Sequence, residues 1–217
     1  MKYFTEEQPA LMPLVEYLST MVERTDVWRY VILLHVGGIY ADSDVVAIRP
    51  IDEWNGARDA NTTVILGVEA NVNSAARQRF GLAHNVQFCQ WTMAAAPGHW
   101  IFKRVLQRIH QRVQGEKDGS IRGTSSREMD ILYRTGPGIW SDAVNDYLAN
   151  HNARAADVVR GHQTRRVGDV TVLPVSAFAP NQDHSGARQV SSRDPSIYAQ
   201  HMFLGSWRGV KHRLLHH

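Results

Sequence analysis

The sequence predicts an α/β fold, and three observations lead to this class. Apolar residues recur at helical spacing in several stretches, and short β-branched runs lie between those stretches. The chain has 217 residues, of which 43% are hydrophobic and 21% charged. A chain of this size and composition buries a substantial core as one domain, or as one domain with a small annex. Disordered, collagen-like and coiled-coil classes are therefore excluded.

The first forty residues are predicted to form two helices. Apolar residues recur three and four positions apart over residues 11–22, and again from 26 to about 34. The pair Gly37-Gly38 then ends the second helix, because glycine is the usual residue just beyond a helix terminus.

Short extended segments follow the glycines. Residues 39–41 and 45–48 are apolar runs on either side of Asp42-Ser43-Asp44, and residues 64–68 are a continuous β-branched run typical of a buried strand. Residues 170–173 predict a late strand that ends at Pro174.

The middle of the chain alternates further helices with loops. An apolar stripe over residues 101–113 predicts an amphipathic helix, and residues 139–148 predict another. Ser125 and Glu128 have the spacing of a capping box for a short helix between them. The Pro-, Gly- and Ser-rich residues 179–196 are expected to form a long loop.

Composition narrows the classes of function. Cys89 is the only cysteine, so an internal disulfide or a cysteine-based zinc site is excluded. The formal charge of +3 fits an anionic small ligand, and no long Lys/Arg tract predicts nucleic-acid binding. The apolar run at residues 31–34 is too short to span a membrane, so we expect no signal peptide or membrane anchor in this chain.

The segment Asp42-Ser43-Asp44 offers two carboxylates that a turn can bring to one ligand group. Two hard oxygen donors suit Mg²⁺ or Mn²⁺ with coordination positions left for phosphate oxygens. An Asp-x-Asp tripeptide also occurs in solvated loops. The apolar flanks 31–34 and 45–48 are expected to be buried, which argues against a casual surface loop. From the residues alone both readings stay open.

Upstream of this segment, Asp26 and Arg29 stand three residues apart on a predicted helix and share one face. They form either an ordinary helix salt bridge or a polar pair at a sugar site. Gly37 and Gly38 allow close approach of backbone to a ligand, or a positive φ. Tyr40 is expected either to stack on a base or sugar ring or to lie in the core.

A family resemblance extends from about residue 10 to 208. The matching segments are, in order, Thr25-Asp26 to Arg29-Tyr30, Gly37 to Asp44, Gly67-Val68-Glu69-Ala70, Gln87 to Thr92, Ala96-Pro97-Gly98-His99, Thr135 to Val144, Val172 to Val175, His201, and Gly205-Ser206-Trp207. This ordered series resembles glycosyltransferase family 32, and within it the fungal initiation-specific α-1,6-mannosyltransferases. The resemblance implies one GT-A catalytic domain over residues 1–217, with a mixed central sheet flanked by helices.

The resemblance also implies the chemistry. It implies Mn²⁺, with Mg²⁺ as an alternative, GDP-mannose as the donor and a mannose of an N-glycan core as the acceptor. Asp42 and Asp44 are implied to be catalytic residues that hold metal and donor, with His201 completing the metal ligands. The remaining implied site residues are Asp26 and Arg29 on the transferred sugar, Trp207 over the nucleotide, and Glu69, Gln90 and Asp142 on the sugar and acceptor side.

The resemblance further implies a reaction that retains the configuration at the anomeric carbon. It also implies a type II membrane protein of the Golgi lumen, with a membrane anchor that we do not expect in this chain. The opening nucleotide-binding strand of the family is not recognisable here, so nucleotide selectivity is open. A double displacement would need a carboxylate nucleophile, for which Glu69 and Asp142 are candidates by charge, whereas same-face attack, which we favour, needs none. Alternative functions are transfer to inositol phosphorylceramide, transfer from a UDP-sugar, and a non-catalytic nucleotide-sugar or glycan-binding module.

Overall fold

The computed structural model describes residues 6–124, 126–187, 189–191 and 193–202. The helices are α1 Met12–Tyr17, α2 Met21–His35, α3 Ser74–Phe80, α4 Trp100–Lys117, α5 Arg127–Arg134, α6 Pro137–Asn150, α7 Ala155–Val158 and α8 Val175–Phe178. The strands are β1 Gly38–Ala41, β2 Val45–Ala47, β3 Val64–Asn71, β4 Val86–Ala95, β5 Arg165–Val167, β6 Val170–Leu173 and β7 Ala199–His201. Short 3₁₀ turns span Pro9–Leu11, Ile51–Glu53 and Arg160–His162.

Five of the strands form one mixed sheet, in the order β1-β4-β3-β6-β5. The β3–β6 pair is parallel, and the pairs β1–β4, β3–β4 and β5–β6 are antiparallel. Helix α6 packs on β4 and on α4, α4 packs on α2, and α8 packs on β3. The predicted α/β class, with a mixed central sheet flanked by helices, is confirmed.

Aromatic side chains join the helices to the sheet. The Trp140 ring lies 5.5 Å from the Tyr30 ring and 5.4 Å from the Phe102 ring, and all three side chains are fully buried. Trp140 also donates a hydrogen bond from Nε1 to the Cys89 carbonyl at 2.9 Å, so its polar atom is satisfied inside the core. Cys89 itself is buried in this cluster.

The prediction of a single helix over residues 11–22 is wrong, because a capping box interrupts it. Leu18 leaves the helical region, and Thr20 then caps α2. The Thr20 hydroxyl accepts from the Glu23 amide at 3.2 Å, and the Glu23 carboxylate accepts from the Thr20 amide at 3.1 Å. This reciprocal pair satisfies two free amides and starts a new helix at Met21.

Two further elements differ from the sequence predictions. The central strand β4 was not predicted, because polar residues such as Gln87 and Gln90 interrupt its apolar pattern although the strand is buried. The predicted cap Ser125 lies outside the described residues, and the neighbouring Ser126 caps α5 by accepting from the Met129 amide at 3.2 Å. In the part of the chain that is described, no helix combines the length and the apolar character needed to cross a bilayer.

Candidate active site

A tight turn places Asp42 and Asp44 at the end of β1. The Asp42 amide donates to the Trp91 carbonyl at 2.9 Å, which extends the β1–β4 ladder by one residue. The Val45 amide then donates back to the Asp42 carbonyl at 3.1 Å and closes the turn. The expectation that residues 45–48 are buried is wrong, since Val46 is 49% exposed and Ile48 43% exposed. Their exposure follows from the position of β2, which among the described strands pairs with the short strand β7 alone.

Strand β7 brings His201 to the same turn. In the β2–β7 register His201 lies opposite Val45, and the Met202 amide donates to the Asp44 carbonyl at 2.9 Å. His201 Nε2 lies 3.4 Å from Asp44 Oδ1 and 3.8 Å from Asp42 Oδ2. One ligand atom from each of the three side chains lies within 4.8 Å of the others.

These separations fit a small divalent cation. An octahedral ion with bonds of about 2.1 Å holds neighbouring ligand atoms about 3 Å apart and opposite ones about 4.2 Å apart. The distances from His201 Nε2 to Asp44 and Asp42, 3.4 and 3.8 Å, lie inside this range. Two carboxylates and one imidazole suit a borderline ion such as Mn²⁺. Among the described residues this is the one group of three such side chains that could hold a metal.

The orientation of Asp42 is set by two neighbours. Its Oδ1 accepts from the Tyr40 hydroxyl at 2.7 Å and lies 3.4 Å from Arg29 Nη2, while Oδ2 faces His201. Burial would raise the pKa of Asp42, but a hydrogen bond from His201 and the charge of Arg29 outweigh burial and lower it. Tyr40 therefore lies beside the cluster, with the Arg29 guanidinium 4.8 Å above its ring, rather than in the core.

Arg29 links the turn to a buried carboxylate on its own helix. Its Nη2 lies 3.1 Å from Asp26 Oδ1 as well as 3.4 Å from Asp42 Oδ1, and its Nη1 donates to the Gln90 carbonyl at 3.1 Å. Asp26 is 1% exposed and Arg29 4% exposed. Burial would lower the pKa of Arg29, but the charges of Asp26 and Asp42 raise it. This pair is thus a buried ion pair and not an ordinary surface salt bridge.

Both oxygens of Asp26 are engaged inside the protein. Oδ1 accepts from Gln90 Nε2 at 3.3 Å besides its contact with Arg29, and Oδ2 accepts from the Thr135 hydroxyl at 2.8 Å. The Tyr30 hydroxyl lies within hydrogen-bond distance of Gln90 Oε1 and of the Thr135 carbonyl, the latter at 3.0 Å. Gln90 was a predicted site residue, whereas Tyr30 and Thr135 were not, although both belong to segments that carry the family resemblance.

Glu69 and Asp142 are placed away from the metal cluster. Glu69, on β3, accepts from Gln87 Nε2 at 2.9 Å, and Gln87 lies about 13 Å along β4 from Trp91, the residue whose carbonyl accepts from Asp42. Asp142, on α6, lies 3.1 Å from His84 Nε2 and 3.8 Å from Arg108 Nη1. The structure therefore shows these two carboxylates in polar contacts of their own.

Gly37 and Gly38 lie at the opposite end of β1, about 13 Å from Asp42. Their φ angles are +72° and +92°, as expected where a helix turns directly into a strand. A Cβ on Gly37 would lie 2.8 Å from the Ala95 carbonyl oxygen, so this glycine is needed for backbone packing. Trp207 lies outside the described residues, as do Gly205 and Ser206.

The chain is similar in sequence to known glycosyltransferases. Residues 1–60, which contain both aspartates of the turn and the Asp26–Arg29 pair, match the family described as "Glycosyltransferase sugar-binding region containing DXD motif". An initiation-specific alpha-1,6-mannosyltransferase of Schizosaccharomyces pombe is 37% identical over 203 residues, covering 92% of this chain and 48% of the relative. The resemblance to glycosyltransferase family 32 is confirmed.

A second curated relative also matches most of the chain. The Candida albicans protein of the same name is 30% identical over 210 residues, covering 85% of this chain and 54% of the relative. The chain thus spans about half the length of the curated family members that it matches. Among solved structures, the PaToxG glycosyltransferase aligns with 73% of this chain and 49% of its own, at 16% identity and a TM-score of 0.45.

Proposed function

We propose that the chain is the catalytic part of a metal-dependent, retaining glycosyltransferase. It transfers mannose from GDP-mannose to a mannose of an N-glycan core through an α-1,6 linkage, in the Golgi lumen. The observation that carries the proposal is the Asp42–Asp44–His201 cluster, which lies beside the buried Asp26–Arg29 pair. Relatives named as α-1,6-mannosyltransferases support the choice of sugar and linkage.

The metal would be held by Asp42, Asp44 and His201. When bound, Mn²⁺ supplies positive charge that stabilises a departing diphosphate. Tyr40 and Arg29 occupy Oδ1 of Asp42 and leave Oδ2 towards His201, so these two residues orient the carboxylate for its ligand role. The lowered pKa of Asp42 keeps this ligand ionised at neutral pH.

Arg29 is the fixed cation of the site. Its guanidinium lies within 3.4 Å of carboxylates on both sides and offsets their mutual repulsion before any ligand arrives. Because Arg29 is buried and bonded to the Gln90 carbonyl, its position is set by the fold and not by the substrate. Such preorganised charge costs no rearrangement during the reaction.

For retention we favour same-face attack. In this reaction the acceptor hydroxyl forms the new glycosidic bond as the sugar–phosphate bond breaks, and its proton passes to the departing phosphate oxygen. No protein nucleophile is required. The separate contacts of Glu69 with Gln87 and of Asp142 with His84 and Arg108 support this route over a double displacement.

The test is a transfer assay with GDP-mannose, Mn²⁺ and an oligomannose acceptor. We expect a product whose linkage is cleaved by an α-1,6-specific mannosidase. Asp42→Ala and Asp44→Ala should each lower the rate by about 10²-fold or more. Asp157→Ala is the matched control, since Asp157 pairs only with exposed arginines among its described contacts, and it should retain the wild-type rate.

Other outcomes separate the alternatives. Transfer to inositol phosphorylceramide, or from a UDP-sugar alone, would replace the acceptor or donor proposed here. Binding of GDP by calorimetry without transfer to any acceptor would indicate a binding module. An Asp42→Ala variant as active as the wild type would contradict the metal-dependent mechanism.

A further inference from the structure

A buried hydrogen-bond network lies behind the Asp26–Arg29 pair. It joins Tyr30 and Asp26 on α2, Gln90 on β4 and Thr135 at the junction of α5 and α6. Tyr30 and Thr135 are fully buried, and Gln90 is nearly so. Three separate elements therefore converge on one carboxylate.

The network accounts for each oxygen of Asp26. Gln90 Nε2 and Arg29 Nη2 contact Oδ1, and the Thr135 hydroxyl donates to Oδ2. A buried carboxylate is costly unless its lone pairs are satisfied, so these bonds fix both the charge and the rotamer of Asp26. Among the described residues, the hydrogen bond to Asp26 Oδ2 comes from the Thr135 hydroxyl.

Fixing Asp26 also fixes Arg29, and through Arg29 the turn. The Arg29 Nη2 atom contacts Oδ1 of Asp26 and Oδ1 of Asp42 at 3.1 and 3.4 Å. If Asp26 rotated, this nitrogen would lose one of its two anionic partners. Arg29 Nη2 would then be free to shift relative to Asp42, which would leave the Tyr40 hydroxyl as the described contact that holds Oδ1.

We propose that Thr135 is a positioning residue for the metal site. Its hydroxyl orients Asp26, Asp26 holds Arg29, and Arg29 holds the ligand carboxylate of Asp42. Thr135 touches neither the cluster nor substrate in this arrangement. The inference rests on the proposed function only for the identity of the cation, Mn²⁺.

The test compares Thr135→Val, which keeps the shape and removes the hydroxyl, with Thr135→Ser, which keeps the hydroxyl. Mn²⁺ affinity of the full chain is measured without donor, from the electron paramagnetic resonance signal of free Mn²⁺. We expect Thr135→Val to weaken Mn²⁺ binding about tenfold, the scale of one hydrogen bond to a charged group. Thr135→Ser should bind within about twofold of the wild type.

Thr171→Val is the matched control for loss of a buried threonine hydroxyl. Thr171 lies on β6 and bonds the Thr62 hydroxyl at 2.9 Å. It should lower the melting temperature without changing Mn²⁺ affinity. In transfer assays at saturating Mn²⁺, Thr135→Val should lower kcat more than it raises KM for the donor. Should Thr135→Val fail to fold, Thr135→Ala replaces it, because it also removes the hydroxyl that donates to Asp26 Oδ2.

Equal Mn²⁺ affinity in wild type and Thr135→Val, with only the melting temperature lowered, would overturn the inference and leave the proposed function standing. For the replacement variant, wild-type affinity in Thr135→Ala would do the same. If the wild-type chain itself binds no Mn²⁺, both fail together. Absence of mannose transfer with the expected order of Mn²⁺ affinities would reject the enzyme and support the positioning role.

Discussion

Asp26 is the residue at which we expect stability and function to conflict. Burial raises the pKa of this carboxyl from 3.8 to about 6, although Arg29 and Thr135 both favour the ionised form. The change Asp26→Asn removes the charge and keeps the shape. Because a hydroxyl can also accept, Thr135 can bond the new amide nitrogen in place of Oδ2.

The pKa shift sets the size and sign of the effect. Between pH 3.8 and about 6 the folded protein binds a proton that the unfolded chain releases, so the free energy of unfolding falls as pH rises through this window. At about 1.4 kcal/mol per unit, the full cost above pH 6 is about 3 kcal/mol. Asp26→Asn avoids this cost and should stabilise the protein by up to about 3 kcal/mol at pH 8.

The assay is urea unfolding of wild type and Asp26→Asn at pH 8 and below pH 4, with EDTA present. The gain in unfolding free energy should be largest at pH 8 and should approach zero as pH falls below 3.8, where the carboxyl of the unfolded chain also becomes protonated. In a separate transfer assay at neutral pH with Mn²⁺ and no EDTA, Asp26→Asn should be inactive. A gain independent of pH, or a loss of stability at pH 8, would refute the reasoning.

Asp42→Asn is the matched control, because Asp42 is the carboxylate on the other side of Arg29. Its pKa is lowered, so its ionised form stabilises the fold above pH 3.8. Asp42→Asn should therefore lower stability at pH 8, opposite in sign to Asp26→Asn. Two variants with the same sign would show that net charge, and not burial, controls the effect.

Three further changes test the packing and charges elsewhere. Gly67→Ala would place a Cβ 2.3 Å from a ring carbon of Phe178 and should destabilise the fold by about 1–3 kcal/mol in thermal unfolding. Arg134→Ala leaves the fully buried Glu23 without its 2.6 Å partner and should cost about 3 kcal/mol or more in urea unfolding. Burial would raise the pKa of Asp169, but hydrogen bonds from three side chains lower it to about 2, so its contribution to stability should fade between pH 3.8 and about 2.

Each of these changes has its own check. Arg154→Ala breaks an exposed arginine–aspartate pair and should lower the free energy of unfolding far less than Arg134→Ala does. An equal loss in the two variants would contradict the role of burial. Wild-type thermal stability in Gly67→Ala would show that Phe178 moves freely. The difference in unfolding free energy between wild type and Asp169→Asn should become smaller as pH falls from 3.8 towards 2. A difference that does not change with pH would contradict the lowered pKa of Asp169.

Three elements were predicted correctly from the pattern of apolar residues within the element itself. The β-branched run at residues 64–68 and the late run before Pro174 are strands, and the stripe over residues 101–113 lies within one helix. Strand β4 escaped prediction because its polar residues bond inside the protein, and those bonds depend on distant partners. Gln90, for example, meets Asp26 and Tyr30 on α2.

The site residues that could be predicted from the sequence are those that lie close to one another along the chain. Asp42 and Asp44 are a contiguous motif, and Asp26 and Arg29 share a helix face, so both pairs could be found from spacing. His201 came only from the family resemblance, since no local pattern connects it with the turn. The contact of Thr135 with Asp26 depends on how α5 and α6 pack, which neighbouring residues do not encode.

The pairing of β2 with β7 has a consequence for biosynthesis. Every strand of the five-stranded sheet is complete by Leu173, whereas the imidazole that completes the cluster arrives with Ala199–His201. A nascent polypeptide emerging from the ribosome would therefore contain Asp42 and Asp44 long before His201 is translated. A polypeptide terminated before residue 199 would therefore contain every strand of that sheet and both aspartates, but not the third side chain of the cluster.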